Sequence, residues 1–330
     1  MRQQRKMSFA STVIFYFAIL LSLSAQLSSQ TLKVSKTTYH GWSDALVLSN
    51  GNVEAVIVPA VGRVMQFRFV GGDDVFWENA ALQGKSANPS AQEWSNFGGD
   101  KTWPSPQADW PKMIGRGWPP PATFDSTPLQ GNQKENAVEL TSPIDTAYGI
   151  RTRRRIELDP SKPVLKITTT YEKVSGDTVK VGIGVITQLR DPQRAFIAVP
   201  SKSKFPEGYV LLNFDRPQAG KLAEGLFSLT RSRTNKSQIG SDAGALLWMN
   251  AKYVVKIESP RVIGAEYADQ GSSTVIYTNS DPDAYVELET FGPLTLMKAG
   301  DKIERTNTYS LYERSEKDPE AEARKILGKN

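Results

Sequence analysis

Short apolar segments separated by turn residues run along almost the whole chain. In segment 64–70 apolar and polar side chains alternate, as in a half-buried strand. Turn residues at 49–52 separate segments 45–48 and 53–58, as in a hairpin. Further strand candidates lie at 149–158, 164–171, 179–189, 195–199, 209–214, 225–230, 243–249, 253–258, 273–278, 285–289 and 302–311. About fifteen short strands with no long helical pattern between them predict an all-β protein.

One helix is predicted, at the end of the chain. Asp318 and Pro319 form an N-cap and N1 pair ahead of 320–327, and Gly328 follows as a stop signal. No repeat or linker divides the rest, so we expect one large domain over about 31–315 and a helical segment at 316–330. That length favours two large antiparallel sheets packed face to face over an immunoglobulin-type module of ~100 residues.

The first residues have the order of a secretory signal peptide. Arg2, Arg5 and Lys6 precede an apolar run at 9–23, and small residues close it near position 25. The run is shorter than the ~20 residues that a membrane span needs. Residues 1–25 therefore predict a signal peptide and an exported protein, periplasmic or extracellular, without a membrane span after its removal. An uncleaved anchor is the alternative.

Composition removes several kinds of chemistry. The chain has no cysteine, which excludes disulfides, thiolate metal sites and cysteine nucleophiles. The formal charge is +5, but three positive charges lie in the predicted signal, so the remainder is near +2 and gives little support to nucleic-acid binding. No metal-ligand spacing or phosphate-binding glycine loop is present, and we expect no cofactor.

Segment 96–121 is rich in tryptophan, proline and glycine. Its prolines and glycines predict an irregular loop, and such a loop is either a structural cover or a binding surface. The faces of Trp103, Trp110 and Trp118 suit a sugar ring, while a neighbouring amide such as Gln107 suits its hydroxyls.

An arginine-rich run occupies 151–155. On a strand, Arg151, Arg153 and Arg155 share one face. They form either a solvated strand face or a clamp for substrate carboxylates or phosphates, with Arg153 at its centre.

Several segments resemble the galactose mutarotase-like superfamily. The resemblance is carried by 48–55, 59–64, 284–296, 298–302 and 308–312, and the run Asn-Phe-Gly-Gly-Asp-Lys-Thr-Trp-Pro-Ser-Pro-Gln at 96–107 resembles a bacterial branch, DUF4380. The resemblance implies a β-supersandwich with a sugar site on a concave face, and an activity like that of aldose 1-epimerases.

In that family a carboxylate base removes the anomeric proton and histidines deliver one to the ring oxygen. The resemblance assigns the base to Glu289, in its Leu-Glu-Thr context, with Glu287 on the same strand face. The histidines do not carry over: Phe97 stands where the family has one, and the single histidine, His40, matches no family position.

Asp100 or Lys101 is expected to replace the missing acid, beside the lost histidine position. The alternative for Asp100 is a cap on its own loop. Arg63 and Gln107 are expected to orient sugar hydroxyls. The alternative for Glu289 is an ion pair with Arg63 or with an arginine of 151–155.

Two main hypotheses follow. The first is an exported carbohydrate-binding protein that acts on a sugar at or near its anomeric centre, with Glu289 as base. The second is a non-catalytic carbohydrate-binding or envelope interaction protein that has lost the catalytic histidines. Buried tryptophans would favour an interaction module, and Trp103→Ala is expected to weaken sugar binding without unfolding the protein.

Overall fold

The computed structural model describes residues 32–91 and 93–328, so the predicted signal peptide lies outside the described residues. The strands are β1 (Lys33–Tyr39), β2 (Trp42–Ser49), β3 (Val53–Val58), β4 (Arg63–Phe69), β5 (Asp100–Ser105), β6 (Gln130–Lys134), β7 (Ala137–Ile144), β8 (Ile150–Leu158), β9 (Val164–Lys173), β10 (Val179–Arg190), β11 (Arg194–Ala198), β12 (Val210–Phe214), β13 (Gln218–Ala223), β14 (Leu226–Thr230), β15 (Ser237–Ser241), β16 (Ala245–Met249), β17 (Tyr253–Glu258), β18 (Thr274–Thr278), β19 (Tyr285–Phe291), β20 (Thr295–Met297) and β21 (Lys302–Glu313). The α-helices are α1 (Trp110–Ile114), α2 (Ala122–Asp125) and α3 (Pro319–Leu327).

The strands form two large antiparallel sheets. The first has the order β1-β2-β3-β4-β5-β10-β19-β18-β15-β12, with β20 beside one end of β10. The second has the order β13-β14-β11-β16-β17-β21-β9-β8-β7-β6. The prediction of an all-β fold of two large antiparallel sheets is confirmed.

The main core lies between the two sheets. Val286 and Leu288 of β19 are buried in it, opposite residues such as Tyr309 and Leu311 of the second sheet. Because successive side chains of a strand point to opposite faces, the residues between them face away from the core. The first sheet therefore has an outer face, and this face carries the site described below.

The tryptophan-rich segment is more regular than expected. Its first part forms β5, which pairs with β10 from Asp100 to Ser105 but with β4 only at Val64 and Asp100. Proline lacks the N–H group that a paired strand position donates. Pro104 is tolerated in this strand because most of the other edge of β5 has no hydrogen-bonded neighbour strand. The short helices α1 and α2 follow, so the prediction of a wholly irregular loop was wrong.

The terminal helix is confirmed. The Asp318 carboxylate accepts a hydrogen bond of 2.7 Å from the Ala321 N–H, and Gly328 ends the helix with φ of 63°. The helix packs through Ala323 on Phe196 and Leu247, on the face of the second sheet that points away from the core. Among the described residues, no helix has the length and apolar character needed to cross a bilayer.

Candidate functional site

A cavity of about 1080 Å³ lies on the outer face of the first sheet. Strands β5, β10, β19, β18, β15 and β12 supply its floor, and residues of 79–118 supply much of its wall. The cavity-lining residues include Asn79, Trp94, Asn96, Trp103, Ser105, Gln107, Trp110, Trp118, Gln238, Asp269, Tyr277, Asp283, Tyr285, Glu287 and Glu289.

The floor carries the carboxyl pair predicted from the sequence. Glu287 and Glu289 of β19 both line the cavity and are only 7% and 5% exposed. In the strand register, Glu289 lies opposite Ile186 of β10, and Ile186 lies opposite Lys101 of β5. The resulting row places Lys101 on the same face as both glutamates, with its Nζ 3.7 Å from Glu287 Oε1.

The two carboxyl groups have different electrostatic surroundings. Burial raises the pKa of Glu289 well above its ordinary value, and the negative charges of Glu287 and Asp269 raise it further. Burial also raises the pKa of Glu287, but the positive charges of Lys101 and Arg63 oppose that rise. Glu289 therefore holds a proton more firmly, and Glu287 is the member of the pair that is more readily ionised.

Lys101 lies under the tryptophan wall. Its ammonium is 4.9 Å from the ring centre of Trp103 and 5.8 Å from that of Trp94. Burial lowers the pKa of Lys101 to about 8. Within the described chain its Nζ has no hydrogen-bond partner, which leaves its donors unused beside Glu287.

Gln188 is a further buried polar group in the strand next to Glu287, and sequence reasoning missed it. It pairs with Glu287 across β10 and β19 and is fully buried. Neither its side-chain nitrogen nor its side-chain oxygen finds a hydrogen-bond partner among the residues described. Buried polar groups in proteins are normally paired, so this amide is an exception next to Glu287, although it does not line the cavity.

Four tryptophans form one cluster in the wall, here called the tryptophan cluster: Trp94, Trp103, Trp110 and Trp118. Ring centres lie 4.9 Å apart for Trp94 and Trp118, and 5.7 Å apart for Trp103 and Trp110. All four line the cavity, but their exposure differs: Trp110 is 1%, Trp103 9% and Trp118 45% exposed. Trp110 also donates a hydrogen bond of 2.9 Å to the Pro104 carbonyl, so only Trp118 presents a large free surface among the three that were predicted.

Asp125, at the end of α2, fixes the orientation of this cluster. Its carboxylate accepts hydrogen bonds of 2.9 Å from the indole nitrogens of Trp94 and Trp103, and of 2.9 Å from Arg63. Sequence reasoning missed Asp125, because nothing in its local sequence distinguishes it from a polar residue in a turn. Its partners come from segments 22 to 62 residues away along the chain.

Arg63 is placed behind the cavity and does not line it. The guanidinium is 1% exposed and donates to the Asp125 carboxylate and, at 2.9 Å, to the Gly98 carbonyl. The expectation that Arg63 orients sugar hydroxyls is therefore corrected, as is the alternative that it pairs with Glu289. Gln107, in contrast, is exposed and lines the cavity.

Asp100 points to the opposite face of the first sheet. Its carboxylate lies in the core, where Arg154 of β8 pairs with it and Thr187 and Tyr309 each donate a hydrogen bond of 2.6 Å. The structure thus does not bring Asp100 and Glu289 together, and Asp100 does not cap its own loop. Both interpretations are corrected by the strand register, which sends Asp100 inward and Lys101 outward.

Arg153 lies on the second sheet, away from this cavity. It is paired with Glu139 at 3.3 Å and Glu172 at 3.2 Å, beside a separate shallow pocket of about 590 Å³. Arg151, Arg153 and Arg155 do share one half-buried face, as predicted. Arg154, on the other face, is buried against Asp100.

Two further kinds of candidate are a metal site and the histidine His40. Across 32–91 and 93–328, no group of three or more His, Cys, Asp or Glu side chains is arranged to hold a metal ion. His40 lies outside the cavity lining and contacts Glu78 at 2.9 Å and Gln83 at 2.9 Å.

Comparison with protein-family models finds no match, and comparison with curated protein sequences finds none either. The assignment to the DUF4380 branch therefore stays a prediction. Solved structures do match. A galactose mutarotase-like protein from Lactobacillus casei has a TM-score of 0.52 at 11% identity, covering 81% of this chain and 100% of its own. A galactose mutarotase-like protein from Clostridium acetobutylicum has a TM-score of 0.52 at 11% identity, and the match covers 86% of this chain and 99% of that one.

A protein from Klebsiella pneumoniae, provisionally assigned as an aldose 1-epimerase, has a TM-score of 0.58 at 9% identity. The match covers 91% of this chain and 88% of that one. At such low identities these likenesses establish the fold and leave the activity open.

Proposed function

We propose that this chain, which has the galactose mutarotase-like fold, is an exported carbohydrate-binding protein that exchanges protons with a bound sugar at or near its anomeric carbon. One observation carries the proposal. The buried pair Glu287 and Glu289 lies at the floor of a large cavity whose wall is made of tryptophans. Aromatic faces for the apolar side of a sugar ring and a few convergent polar groups are what a carbohydrate site needs.

The polar groups of the wall support this. Ser105 Oγ is buried and lines the cavity without a hydrogen-bond partner in the part of the chain that the structure describes, and the same holds for Asn96 Oδ1. A hydroxyl group of a sugar both donates and accepts, so it would satisfy either atom. Gln107 and Gln238 add amides on the same surface.

The electrostatics assign the roles within the pair. Glu287, beside Lys101, is the carboxylate that accepts the proton of the anomeric hydroxyl. Glu289, whose raised pKa makes it the member of the pair that holds its proton more firmly, donates that proton to the ring oxygen as the bond between that oxygen and the anomeric carbon opens. Closing the ring on the other face returns both protons. This reverses the expectation from the resemblance, which made Glu289 the base.

The second candidate is a carbohydrate-binding protein without catalysis. It is favoured by the absence of histidine from the cavity lining: the only histidine of the sequence, His40, pairs with Glu78 instead. The two functions share the binding site and differ only in proton transfer.

The test combines titration with an exchange measurement. Tryptophan fluorescence of the mature protein is titrated with monosaccharides, uronic acids and oligosaccharides, and anomeric exchange is followed by NMR. We expect saturable binding and accelerated exchange, with the acceleration lost in Glu289→Gln and Glu287→Gln but retained in Glu313→Gln, an exposed residue outside the cavity.

Each outcome has a distinct meaning. Binding without accelerated exchange supports the second candidate. The absence of binding across the panel refutes the proposal as a whole.

Export is the remaining part of the proposal and rests on residues 1–25. N-terminal sequencing of the protein recovered from culture medium and from periplasmic and membrane fractions tests it. We expect cleavage near residue 25, and an intact N-terminus in the membrane fraction would instead indicate an anchor.

A further inference from the structure

The cavity is long in the direction across the strands. Its lining runs from Trp103 on β5 to Asn213 and Phe214 on β12. Between these strands the sheet order is β5-β10-β19-β18-β15-β12, which contains five strand spacings. Neighbouring strands lie ~4.8 Å apart, so the floor measures roughly 24 Å, several times the width of one sugar ring.

Aromatic surfaces lie on both sides of the carboxyl pair. The tryptophan cluster lies on the β5 side. A second series of rings runs from Phe214 on β12 through Tyr277 on β18 to Tyr285 on β19. The ring centres of Phe214 and Tyr277 are 5.9 Å apart, and those of Tyr277 and Tyr285 are 6.1 Å apart. All three line the cavity. Glu287 and Glu289 on β19 are thus an internal feature of the cleft and not its end.

Phe214 is held in an unusual position. Its side chain is 58% exposed and its φ is 64°, a left-handed backbone conformation that bulky residues rarely adopt. Strain of this kind persists where the surrounding structure fixes it and concentrates at binding sites. Here the strained backbone holds an exposed ring at the mouth of the cleft.

The lining is acidic. Among the described lining residues, carboxyl groups come from Glu93, Asp269, Asp283, Glu287 and Glu289 and an ammonium from Lys236, while Lys101 lies beside Glu287. Even with Glu289 holding its proton, the carboxylates outnumber the two ammonium groups. A ligand with carboxylate or phosphate groups would be repelled by this surface, whereas hydroxyl groups can donate hydrogen bonds to it.

We propose that the ligand is an oligosaccharide without anionic groups, whose reducing-end sugar lies at the carboxyl pair beside the tryptophan cluster and whose chain extends over β18 and β15 to Phe214. The inference depends on the carbohydrate binding proposed above and specifies its ligand. The sugar at Glu287 and Glu289 then keeps the free anomeric hydroxyl that the proposed proton exchange needs, because in a linear oligosaccharide only the reducing-end residue carries one.

The experiment uses calorimetry on the mature protein. The probes are linear oligosaccharides of glucose, galactose, mannose and xylose, each from the monosaccharide to the hexasaccharide, with oligogalacturonides of the same lengths. We expect affinity to rise at least about tenfold with length in a neutral series and the oligogalacturonides to bind more weakly.

The variant Phe214→Asn removes the ring but accepts the left-handed backbone, because Asn tolerates positive φ. We expect it to weaken binding of the hexasaccharide roughly 2- to 12-fold while leaving the monosaccharide unchanged. Leu211→Ala is the matched control: Leu211 is an exposed apolar residue of the same strand that does not line the cavity. It should change neither affinity.

Three results would overturn the inference while leaving carbohydrate binding intact. They are equal affinity for the monosaccharide and the hexasaccharide, tighter binding of the oligogalacturonides, and an equal loss for short and long sugars in Phe214→Asn. If no sugar of any length binds, the proposed function itself fails, a result distinct from length-independent binding.

Discussion

The tryptophan cluster can be divided into a structural part and a binding part by two matched substitutions, Trp110→Ala and Trp118→Ala. The two rings are stacked with centres 6.2 Å apart and belong to the same wall. Trp110 is 1% exposed and donates to a backbone carbonyl, whereas Trp118 is 45% exposed. Identical changes to neighbouring residues of the same type should therefore have opposite consequences.

The magnitudes follow from burial. Removing a fully buried tryptophan side chain leaves a large cavity, and we expect Trp110→Ala to lower the free energy of unfolding by about 3–5 kcal/mol. The Trp118→Ala substitution removes ring contacts but little buried surface, so it should lower the free energy of unfolding by less than about 1.5 kcal/mol. If a sugar rests on Trp118, loss of that contact should weaken binding by about 0.5–1.5 kcal/mol, roughly 2- to 12-fold in Kd.

The assay is urea unfolding followed by far-UV circular dichroism, since tryptophan fluorescence changes with the substitution itself. Calorimetry with a sugar found by titration gives the affinities. Equal destabilisation by both substitutions, or an unchanged Kd in Trp118→Ala, would show that the cluster is only a structural cover. Trp103 belongs with Trp110: it is 9% exposed and tied to Asp125, so Trp103→Ala is now expected to destabilise the fold as well as to affect binding.

Three further predictions concern groups that surround the site. The pKa of the Glu289 carboxyl group is raised in the folded protein, so this group keeps its proton at pH values at which it has lost it in the unfolded chain. The free energy of unfolding of the wild type should therefore fall as the pH rises above about 4.5. Thermal unfolding measured from pH 4 to 8 should show a flatter pH profile in Glu289→Gln but not in Glu313→Gln. Asp125→Ala should lower the free energy of unfolding by about 3–5 kcal/mol because it leaves Arg63 buried and unpaired, and adding Arg63→Met should restore part of that loss in urea titrations. Asp318→Ala should cost about 0.5–2 kcal/mol through the lost cap of α3, with no change in sugar affinity.

Local patterns in the sequence were sufficient for much of the fold. In segment 64–70 the apolar Val64, Phe67 and Phe69 pack in or against the main core, whereas the polar Gln66 and Arg68 make hydrogen bonds outside it. Asp318 and Gly328 predict the terminal helix because caps act within a few residues of themselves. The same alternation placed Glu287 and Glu289 on one strand face, where the structure has them.

What the sequence did not reveal depends on contacts between distant segments. β5 contains a proline and lies beside a loop rich in glycine, so its local sequence resembles a loop, and its pairing with β10 makes it a strand. Asp125 and Arg63 acquire their roles only when α2, β4 and two tryptophans meet. No spacing within the chain encodes that meeting.

The neighbouring residues Asp100 and Lys101 show how this limit affects the site itself. They were interchangeable candidates for one role, yet consecutive residues of a strand point to opposite faces. Asp100 fastens β5 to the second sheet through Arg154 and Tyr309, and Lys101 approaches Glu287 in the cavity. Because the two residues are consecutive in one strand, the buried ion pair of Asp100 also helps to position Lys101 beside Glu287. Arg154 donates hydrogen bonds to Asp100 and Thr169, neither of which lines the cavity, but through β5 it belongs to the framework that holds the carboxyl pair and its lysine in place.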